Sequence, residues 1–316
     1  MTIKKLDYRG IQSIYDDFSF NFFTYPENLN QIFPEIDWWG YLKGEEIICI
    51  WPIPIGKNKA PLKGLPFTYY VGPIWKKPLP TLPEHRALYI SKLVYGLFVE
   101  KFLQEYSSFR FEMPFNLIDI RPFLWLKSNF NNIKVETKYS AIIEVGPFEV
   151  MSNKFRQLRR RELKKVPRSA YIIDYGKHNC DEVIKFYNTQ GFMYDLTEEE
   201  YPVFKTLENY LNLDESLGLH SISIREITSK ELVGFALLGI FDSTMNIILN
   251  ITRKQKKEDQ ILSTALHELI FKFAYSNNIK LIDFNGANSE KLSDSKHSWG
   301  AIPILYFRIE ITNQYE

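Results

Sequence analysis

The chain has 316 residues and a formal net charge of +1, and 45% of its residues are hydrophobic. This composition supports packed cores and excludes a disordered chain, and the length suits one large domain or two of ordinary size. Because the charge is nearly balanced, a general attraction to nucleic acid or membranes is excluded, and a partner of that kind requires a local basic patch.

Cysteine content and hydropathy predict the compartment. The two cysteines, Cys49 and Cys180, lie far apart in the sequence and form no ligand or disulfide framework, which is typical of a reducing environment. The first residues include basic side chains without the apolar stretch of a secretory signal, and no uncharged apolar run is long enough to span a bilayer. We therefore expect a cytoplasmic protein.

The first half of the chain alternates between strand and helix patterns. A turn at Lys43-Gly44-Glu45 separates two apolar runs, as in a β-hairpin, and a stripe of apolar residues with helical spacing begins at Ala87. In chain order, the patterns predict a hairpin over 39–55, a Pro- and Gly-rich connection over 57–83, a helix over 84–106, a strand over 109–113, a helix over 120–130 and a strand over 134–145.

The second half repeats this order after a basic stretch at 154–168. Its strongest element is a long helix over 258–278, in which apolar residues recur every three or four positions. The patterns predict, in all, helices over 181–187, 198–210 and 258–278 and strands over 220–227, 232–241, 245–252, 281–284 and 302–311.

The C-terminal stretch from Lys280 to Arg308, KLIDFNGANSEKLSDSKHSWGAIPILYFR, carries the most informative residues. Its short apolar strand stops at Asn285-Gly286, and a polar segment containing Lys296 follows. Trp299-Gly300-Ala301 then leads into a strand rich in β-branched and aromatic residues. A strand that ends in a polar turn, with a long side chain presented from it, is a common place for a functional site.

The pattern DF-x-GAN…S-x-x-K-x-SWGA-x-P-x-x-YFR in this stretch resembles the C-terminal signature of the Fem-like branch of the GNAT acyltransferase superfamily. That branch includes the aminoacyltransferases that build peptidoglycan cross-bridges. The resemblance implies an α+β fold with two tandem GNAT-like domains, each a mixed sheet flanked by helices. It implies an N-terminal domain at 1–150, a basic helical linker at 151–170 and a C-terminal domain with the acyl-transfer site at 171–316.

The resemblance also implies a reaction class. In a GNAT fold two neighbouring parallel strands splay apart, and the acyl donor lies in the gap. An exposed backbone N–H of the first strand then polarises the carbonyl under attack. In this sequence those strands correspond to 245–252 and 280–285. The expected chemistry is attack by an amine on a thioester or ester carbonyl.

Two charged residues of the stretch are candidate catalytic groups. Lys296 resembles the lysine of the family's K-x-x-[FW]-G pattern, which is thought to stabilise the tetrahedral intermediate or leaving group. The alternative is a solvated lysine on a polar helix. Ser295 stands where the family usually has an aromatic residue, and pairing with Asp294 would keep Lys296 from acting. Asp283 can orient the amine or act as general base, although an aspartate at a strand end more often bonds turn amides.

Three further residues are candidate polar contacts to substrate: Asn285, Asn288 and Tyr306. Each has a plainer interpretation as well. Asn285 precedes Gly286 in a pair that is common turn chemistry, and a tyrosine on a strand such as Tyr306 commonly belongs to a core. Both interpretations stay open at this point.

The segment before the long helix bears on the acyl donor. Superfamily members that use acetyl-CoA carry a glycine-rich turn there, whose amides hold the pyrophosphate at the helix N-terminus. Residues 253–260 contain no glycine and include Glu258 and Asp259. We therefore expect no permanently bound cofactor, and a co-substrate that is either aminoacyl-tRNA or acyl-CoA. The five histidines show no metal-ligand spacing.

The basic stretch at 154–168, KFRQLRRRELKKVPR, is the one strong charge feature. Its spacing predicts an amphipathic helix that ends before Pro167. It resembles the family's R-x-x-[IR]-[RK]-K linker helix, and the resemblance implies phosphate contacts from Arg156, Arg159, Arg160 and Arg161. A solvated helix is the alternative. A phosphate-bearing small molecule, a lipid-linked substrate, tRNA and a membrane surface at the protein's periphery all suit such a tract.

The interpretation that joins these features is an N-acyltransferase that transfers an acyl or aminoacyl group to an amine of a cell-envelope precursor, either a peptide stem or an amino sugar. One alternative is a GNAT acetyltransferase with an acyl-CoA or acyl-carrier donor and an atypical donor site. The other is a non-catalytic protein of GNAT fold that binds an anionic partner. The sequence leaves the oligomeric state open.

Overall fold

The computed structural model describes residues 2–56, 58–77, 82–117, 119–128, 130, 132–176, 178–190, 203–255 and 257–313. The chain forms two compact units. The first comprises Met1–Lys138, Leu196–Thr206 and Leu305–Glu316, and the second comprises Tyr139–Asp195 and Leu207–Ile304. The basic stretch at 154–168 therefore lies within the second unit.

The first unit begins with strands and short helices that precede one long helix. Its elements are β1 (Thr2–Leu6), α1 (Tyr8–Gln12), α2 (Pro26–Ile32), β2 (Ile36–Lys43), β3 (Glu46–Pro54), β4 (Ile74–Trp75), α3 (Glu84–Glu105), β5 (Ser108–Met113) and α4 (Arg121–Leu126). Strands β1 to β4 form an antiparallel sheet in sequential order.

Aromatic side chains make up much of the core of the first unit. Trp51 of β3 is completely buried, and its ring lies 4.6 Å from that of Phe111 and 5.2 Å from that of Phe98 in edge-to-face geometry. Tyr95 of α3 stacks on Phe123 of α4 at 4.6 Å. Such pairs bury large apolar areas and are geometrically specific, so they fix α3 against the strands.

The second unit contains the remaining elements: β6 (Ile133–Glu144), α5 (Phe148–Ser152), α6 (Gln157–Leu163), β7 (Tyr171–Tyr175), α7 (Cys180–Thr189), α8 (Val203–Leu211), β8 (Leu219–Glu226), β9 (Leu232–Phe241), β10 (Thr244–Thr252), α9 (Leu262–Ser276), β11 (Leu281–Asp283), α10 (Glu290–His297) and β12 (Ile302–Thr312). The chain passes between the two units within β6, α8 and β12. The later part of β12 pairs antiparallel with β5 in the first unit.

The sheet of the second unit has the order β6-β11-β10-β9-β8-β7. Only the β10–β11 pair among the registers of this sheet is parallel. Strand β9 is a nearly continuous apolar run because both of its faces are covered. Helix α9 lies against the sheet, and Leu266 and Ile270 on its apolar face are completely buried.

Most of the predicted elements are confirmed, with boundaries that differ by a few residues. The hairpin, the helix at 84–105, the strand at 232–241 and the C-terminal strands are present. Helix α4 is shorter than predicted, and residues 198–202 of the helix predicted at 198–210 lie outside the described residues. The short strands β1, β4 and β7 were not predicted.

The basic stretch is less helical than the sequence predicts. Only Gln157–Leu163 is α-helical, and Arg156 before it has an extended backbone with ψ of 145°. The backbone is held in this conformation because the Arg156 amide donates to the Ser298 carbonyl at 2.9 Å. Phe155 is buried against Trp299, at 5.3 Å between ring centroids. Packing therefore overrides the helical periodicity at the start of the stretch.

Candidate functional site

The parallel strands β10 and β11 pair over only three residues. Their register runs from Thr244 opposite Leu281 to Asn246 opposite Asp283, where β11 ends. Strand β10 continues to Thr252 and shifts register against β9 between Ile247 and Leu249, as at a β-bulge. Within the described ranges, the later part of β10 pairs with β9 alone. The carboxyl end of β11 is thus the point where the sheet opens beside β10.

The turn after β11 is held by buried hydrogen bonds. Asp283 is fully buried, and its Oδ1 accepts the Asn285 amide at 2.8 Å and the hydroxyl of Ser140. Asn285 has a left-handed backbone with φ of 51°, and its Nδ2 donates to the Ile247 carbonyl at 3.0 Å. Asn285 therefore bridges the opening between the strands. Its Oδ1 is buried and accepts no hydrogen bond from the described part of the chain.

Lys296 reaches this turn from α10. The helix begins after Ser289, whose hydroxyl accepts the Leu292 amide. The Lys296 ammonium donates to the carbonyl oxygens of Asn285 and Gly286. Burial lowers the pKa of Lys296 to about 8, and the Asp283 carboxylate partly opposes this shift. An ammonium has three donors, so two are satisfied by the turn and one is left for another acceptor.

Asp294 does not neutralise this lysine. Its two carboxylate oxygens accept from the Arg156 guanidinium at 2.6 and 3.0 Å. This ion pair lowers the pKa of Asp294, mainly through the hydrogen bond from Arg156. Lys296 therefore keeps its charge for the turn, and Arg156 serves as a contact to α10.

Arg159 makes further contacts to the segment that follows Lys296. Its Nε donates to the Ser298 hydroxyl at 2.9 Å, and its Nη1 donates to Glu162 at 2.9 Å and Thr264 at 3.2 Å. Its guanidinium lies over the Trp299 ring. Two of the four arginines predicted to contact substrate, Arg156 and Arg159, thus bind the α10 segment itself.

A buried histidine that the sequence did not single out completes this packing. His267 of α9 stacks on Trp299, with ring centroids 4.7 Å apart. Its Nδ1 donates to the Ser263 carbonyl at 2.7 Å, so its Nε2 accepts from Asn250 Nδ2 of β10 at 3.1 Å. Burial lowers the pKa of His267 to about 4. The neutral ring therefore connects β10 to Trp299.

The other predicted residues lie in different surroundings. Asn288 is exposed, and its Oδ1 accepts the Tyr139 amide at 2.7 Å. Tyr306 belongs to the first unit, where it is buried and lies edge-to-face with Tyr70 at 5.1 Å. Arg160 and Arg161 are exposed on α6. The structure thus brings Asp283, Asn285 and Lys296 together in one turn.

The segment before α9 is organised around a buried carboxylate. Asp259 accepts from Arg253 Nε at 3.1 Å and from the Gln255 amide at 3.0 Å. Arg253 also donates to Glu226 at 3.3 Å. These bonds pair the Asp259 carboxylate with a cation and occupy the Gln255 amide.

Neither a metal site nor a membrane-spanning helix is found among the described residues. They contain no group of three or more His, Cys, Asp or Glu side chains placed to hold a metal ion. Nor does any helix in them have both the length and the apolar character needed to cross a membrane.

Known structures share this fold. A crystal structure of FemX superposes with a TM-score of 0.63 at 10% identity, covering 98% of this chain and 97% of FemX. L-PGS from Bacillus licheniformis gives 0.57 at 11% identity, covering 98% and 94%. A tandem GNAT protein from the clavulanic acid biosynthesis pathway gives 0.51 at 10% identity, covering 88% and 83%.

These similarities define the class of fold. The chain has an α+β, tandem GNAT-like fold similar to that of FemX, as the C-terminal signature predicts. A comparison with protein-family models gives no match, and a comparison with curated protein sequences gives none either.

Proposed function

We propose that the protein is an N-acyltransferase in which an amine attacks an activated acyl or aminoacyl carbonyl beside Lys296. The observation that carries the proposal is the position of the Lys296 ammonium, which is bound to the Asn285 and Gly286 carbonyls where β11 leaves β10. In a GNAT fold that opening is the expected place for the acyl donor.

The chemistry follows from the donors at this opening. The amine lone pair forms the new C–N bond, and the carbonyl oxygen becomes an oxyanion. The remaining N–H of Lys296 then donates to this oxyanion, and a fixed cation in a partly desolvated position stabilises such charge more strongly than water does. Collapse of the intermediate breaks the bond to the leaving thiolate or alkoxide, which takes up the proton that the amine loses.

Asp283 has a positioning role in this proposal. Its carboxylate is completely buried and bonded to Ser140 and to the Asn285 amide. It holds the turn that holds Lys296, and its charge favours the protonated lysine. A direct role as general base is the less favoured assignment because the carboxylate already has these partners.

Aminoacyl-tRNA is the donor that we favour, with acyl-CoA or an acyl-carrier as the alternative. Residues 253–260 contain no glycine and the Gln255 amide is already bonded to Asp259, which disfavours the ordinary pyrophosphate contact of CoA at the start of α9. The acceptor that we favour is the amine of a cell-envelope precursor, either a peptide stem or an amino sugar, in agreement with the resemblance to FemX. A peptidoglycan precursor and a cytoplasmic location belong to the same proposal.

The test is turnover by the purified protein and two lysine variants. Charged aminoacyl-tRNA and acetyl-CoA are each offered with amino-sugar and peptide amines, and acylated product is followed by mass spectrometry. We expect Lys296→Ala to lower the rate at least 100-fold, whereas Lys291→Ala, on the exposed side of the same helix, leaves it unchanged.

The outcomes separate the alternatives. An unchanged rate in Lys296→Ala would remove this lysine from the reaction. Product from acetyl-CoA but not from aminoacyl-tRNA would assign the alternative donor. No product from either donor, with an intact fold and bound substrate, would favour the non-catalytic binding protein.

A further inference from the structure

The side-chain amide of Asn285 is bonded through its nitrogen and not through its oxygen. Its Nδ2 donates to the Ile247 carbonyl at 3.0 Å, across the place where β11 leaves β10. Because only the NH2 group can donate to a carbonyl, this bond fixes which way the amide faces. The Oδ1 atom is then a buried acceptor that no donor in the described part of the chain reaches.

This arrangement has a cost that the fold carries. A buried acceptor without a donor lowers folding stability, and most such groups in native proteins have a partner. Asn285 is only 1% exposed, and its backbone has the left-handed φ of 51°. The Asp283 carboxylate holds that backbone by accepting the Asn285 amide at 2.8 Å. A residue fixed in a costly conformation at an opening is typical of a position that binds a ligand.

Asn285 and Lys296 together present one acceptor and one donor. The Lys296 ammonium is bound to the backbone carbonyl of Asn285, so both groups belong to the same turn. In the proposed reaction the acyl oxygen needs a donor, which Lys296 supplies, whereas the attacking amine carries N–H groups and needs an acceptor. Asn285 Oδ1 is such an acceptor. It is uncharged, so it does not favour the ammonium form of the amine as a carboxylate would.

We propose that Asn285 Oδ1 accepts an N–H of the attacking amine and thereby selects a primary amine, an inference that rests on the proposed function. The nitrogen lone pair forms the new C–N bond. The N–H that Asn285 holds stays in the product amide, and the other proton leaves with the thiolate or alkoxide. A secondary amine has a single N–H, so it cannot keep the bond to Asn285 and also lose a proton. It is therefore a poor acceptor.

The orientation of the amide is tested without turnover. In a crystal structure of the parent protein that shows ordered solvent, we expect Asn285 Oδ1 to be bonded to a solvent molecule or a bound ligand beside Lys296. An amide turned away from Ile247, or a protein N–H bonded to Oδ1, would overturn the assignment. Trp299 is the protein donor to check, because its Nε1 is also buried and reaches no acceptor in the described part of the chain.

Kinetics test the selection of a primary amine. The probes are glucosamine and its 2-N-methyl derivative, and an alanyl peptide and its N-methylalanyl counterpart, each with the donor that gives product. Asn285→Gly removes the amide and suits the left-handed backbone, and Asn285→Asp keeps the size of the side chain and an acceptor oxygen. Asn278→Gly is the matched control, because Asn278 also has a left-handed φ, 56°, and is exposed. Thermal melting verifies the fold of each variant.

We expect the parent to prefer the primary amine by about tenfold or more in kcat/KM. In Asn285→Gly the rate with the primary amine should fall to the rate with the N-methyl amine, whereas Asn285→Asp and Asn278→Gly should keep the preference. A rise of the N-methyl rate to the primary-amine rate in Asn285→Gly would show relief of bulk only and overturn the role. Product with an unchanged preference in Asn285→Gly overturns this role alone, whereas no product from any amine counts against the proposed function itself.

Discussion

The guanidinium carbon of Arg159 lies 4.7 Å from the centroid of the Trp299 ring. Trp299 is fully buried and stacks on His267 with its ring at 4.7 Å. Arg159 also bonds Ser298, the residue between His297 and Trp299. Arg159 of the basic stretch therefore helps to fix the C-terminal end of α10. Trp299, which it covers, is only three residues after Lys296.

The first prediction concerns this contact. Arg159→Ala should destabilise the protein by about 2 kcal/mol, since it leaves Glu162 without its cation and uncovers Trp299. Because Lys296 then loses a fixed support, we expect kcat to fall about tenfold with little change in KM. Steady-state kinetics and thermal melting measure the two effects.

The conservative variant separates positioning from charge alone. Arg159→Lys keeps the positive charge but loses the planar stacking and the forked hydrogen bonds, so it should recover only part of kcat. Lys165→Ala is the control. It removes one positive charge, as Arg159→Ala does, but at an exposed position of the stretch, and it should behave as the parent. A rise in KM at constant kcat would instead assign Arg159 to substrate binding.

The second prediction concerns the pH dependence of turnover. The pKa of Lys296 is lowered to about 8 by burial, and the proposed role needs the charged form. The rate should therefore fall as pH rises through about 8. Because the acceptor amine must be neutral to attack, the rate constant is expressed per neutral acceptor at each pH. If that constant rises through pH 8, the neutral form of Lys296 is the active one and the assigned role is reversed.

The lowered pKa of Lys296 should also make the folding stability depend on pH. Its pKa in the folded chain, about 8, is below the ordinary lysine value of 10.5, so between these pH values the unfolded chain binds a proton that the folded chain has lost. Folding stability should then rise with pH across this window. Lys296→Met should remove that rise, which thermal melting from pH 7.5 to 10.5 can measure without any substrate.

The third prediction concerns Asp283. Its charge raises the pKa of Lys296 against the larger effect of burial. Asp283→Asn removes the charge, while the new side-chain oxygen can still accept the Asn285 amide. The pH at which activity falls should therefore move to lower values. If this pH does not move, or if only KM changes, Asp283 acts on the substrate and not through Lys296.

The sequence predicted much of this site because its local signals are strong. The strand ending at Asn285-Gly286 is confirmed, and both residues adopt positive φ values of 51° and 32°. Gly300 is also required by its surroundings. It has φ of 77°, and an added Cβ would lie 3.0 Å from the Lys154 carbonyl oxygen. The Trp-Gly pair therefore reflects close packing as well as any role near substrate.

The parts of the site that the sequence did not predict depend on contacts between residues far apart in the chain. Nothing local indicates that Arg156 pairs with Asp294, 138 residues further along the chain. His267 has no informative spacing in the sequence, and its role follows from Asn250 and Trp299 packing around it.

The last prediction uses the buried histidine. The pKa of His267 is about 4, whereas the ordinary value for a histidine is 6.5. As pH falls from 6.5 to 4, the unfolded chain takes up a proton that the folded chain excludes, so stability falls across this window and is restored as pH rises. A shift of this size corresponds to about 3 kcal/mol.

The variant His267→Gln should lose most of this dependence, because glutamine has no proton to gain. Urea unfolding at pH 7 and pH 4.5 measures the difference for both proteins, and His85→Gln, at an exposed position on α3, is the control. His178 and His220 also have pKa values lowered by burial, so some acid sensitivity should persist. If His267→Gln and the parent lose the same stability between these pH values, the His267 ring accepts a proton in the folded state. In that case the assignment of a neutral His267 ring between Asn250 and Trp299 is wrong.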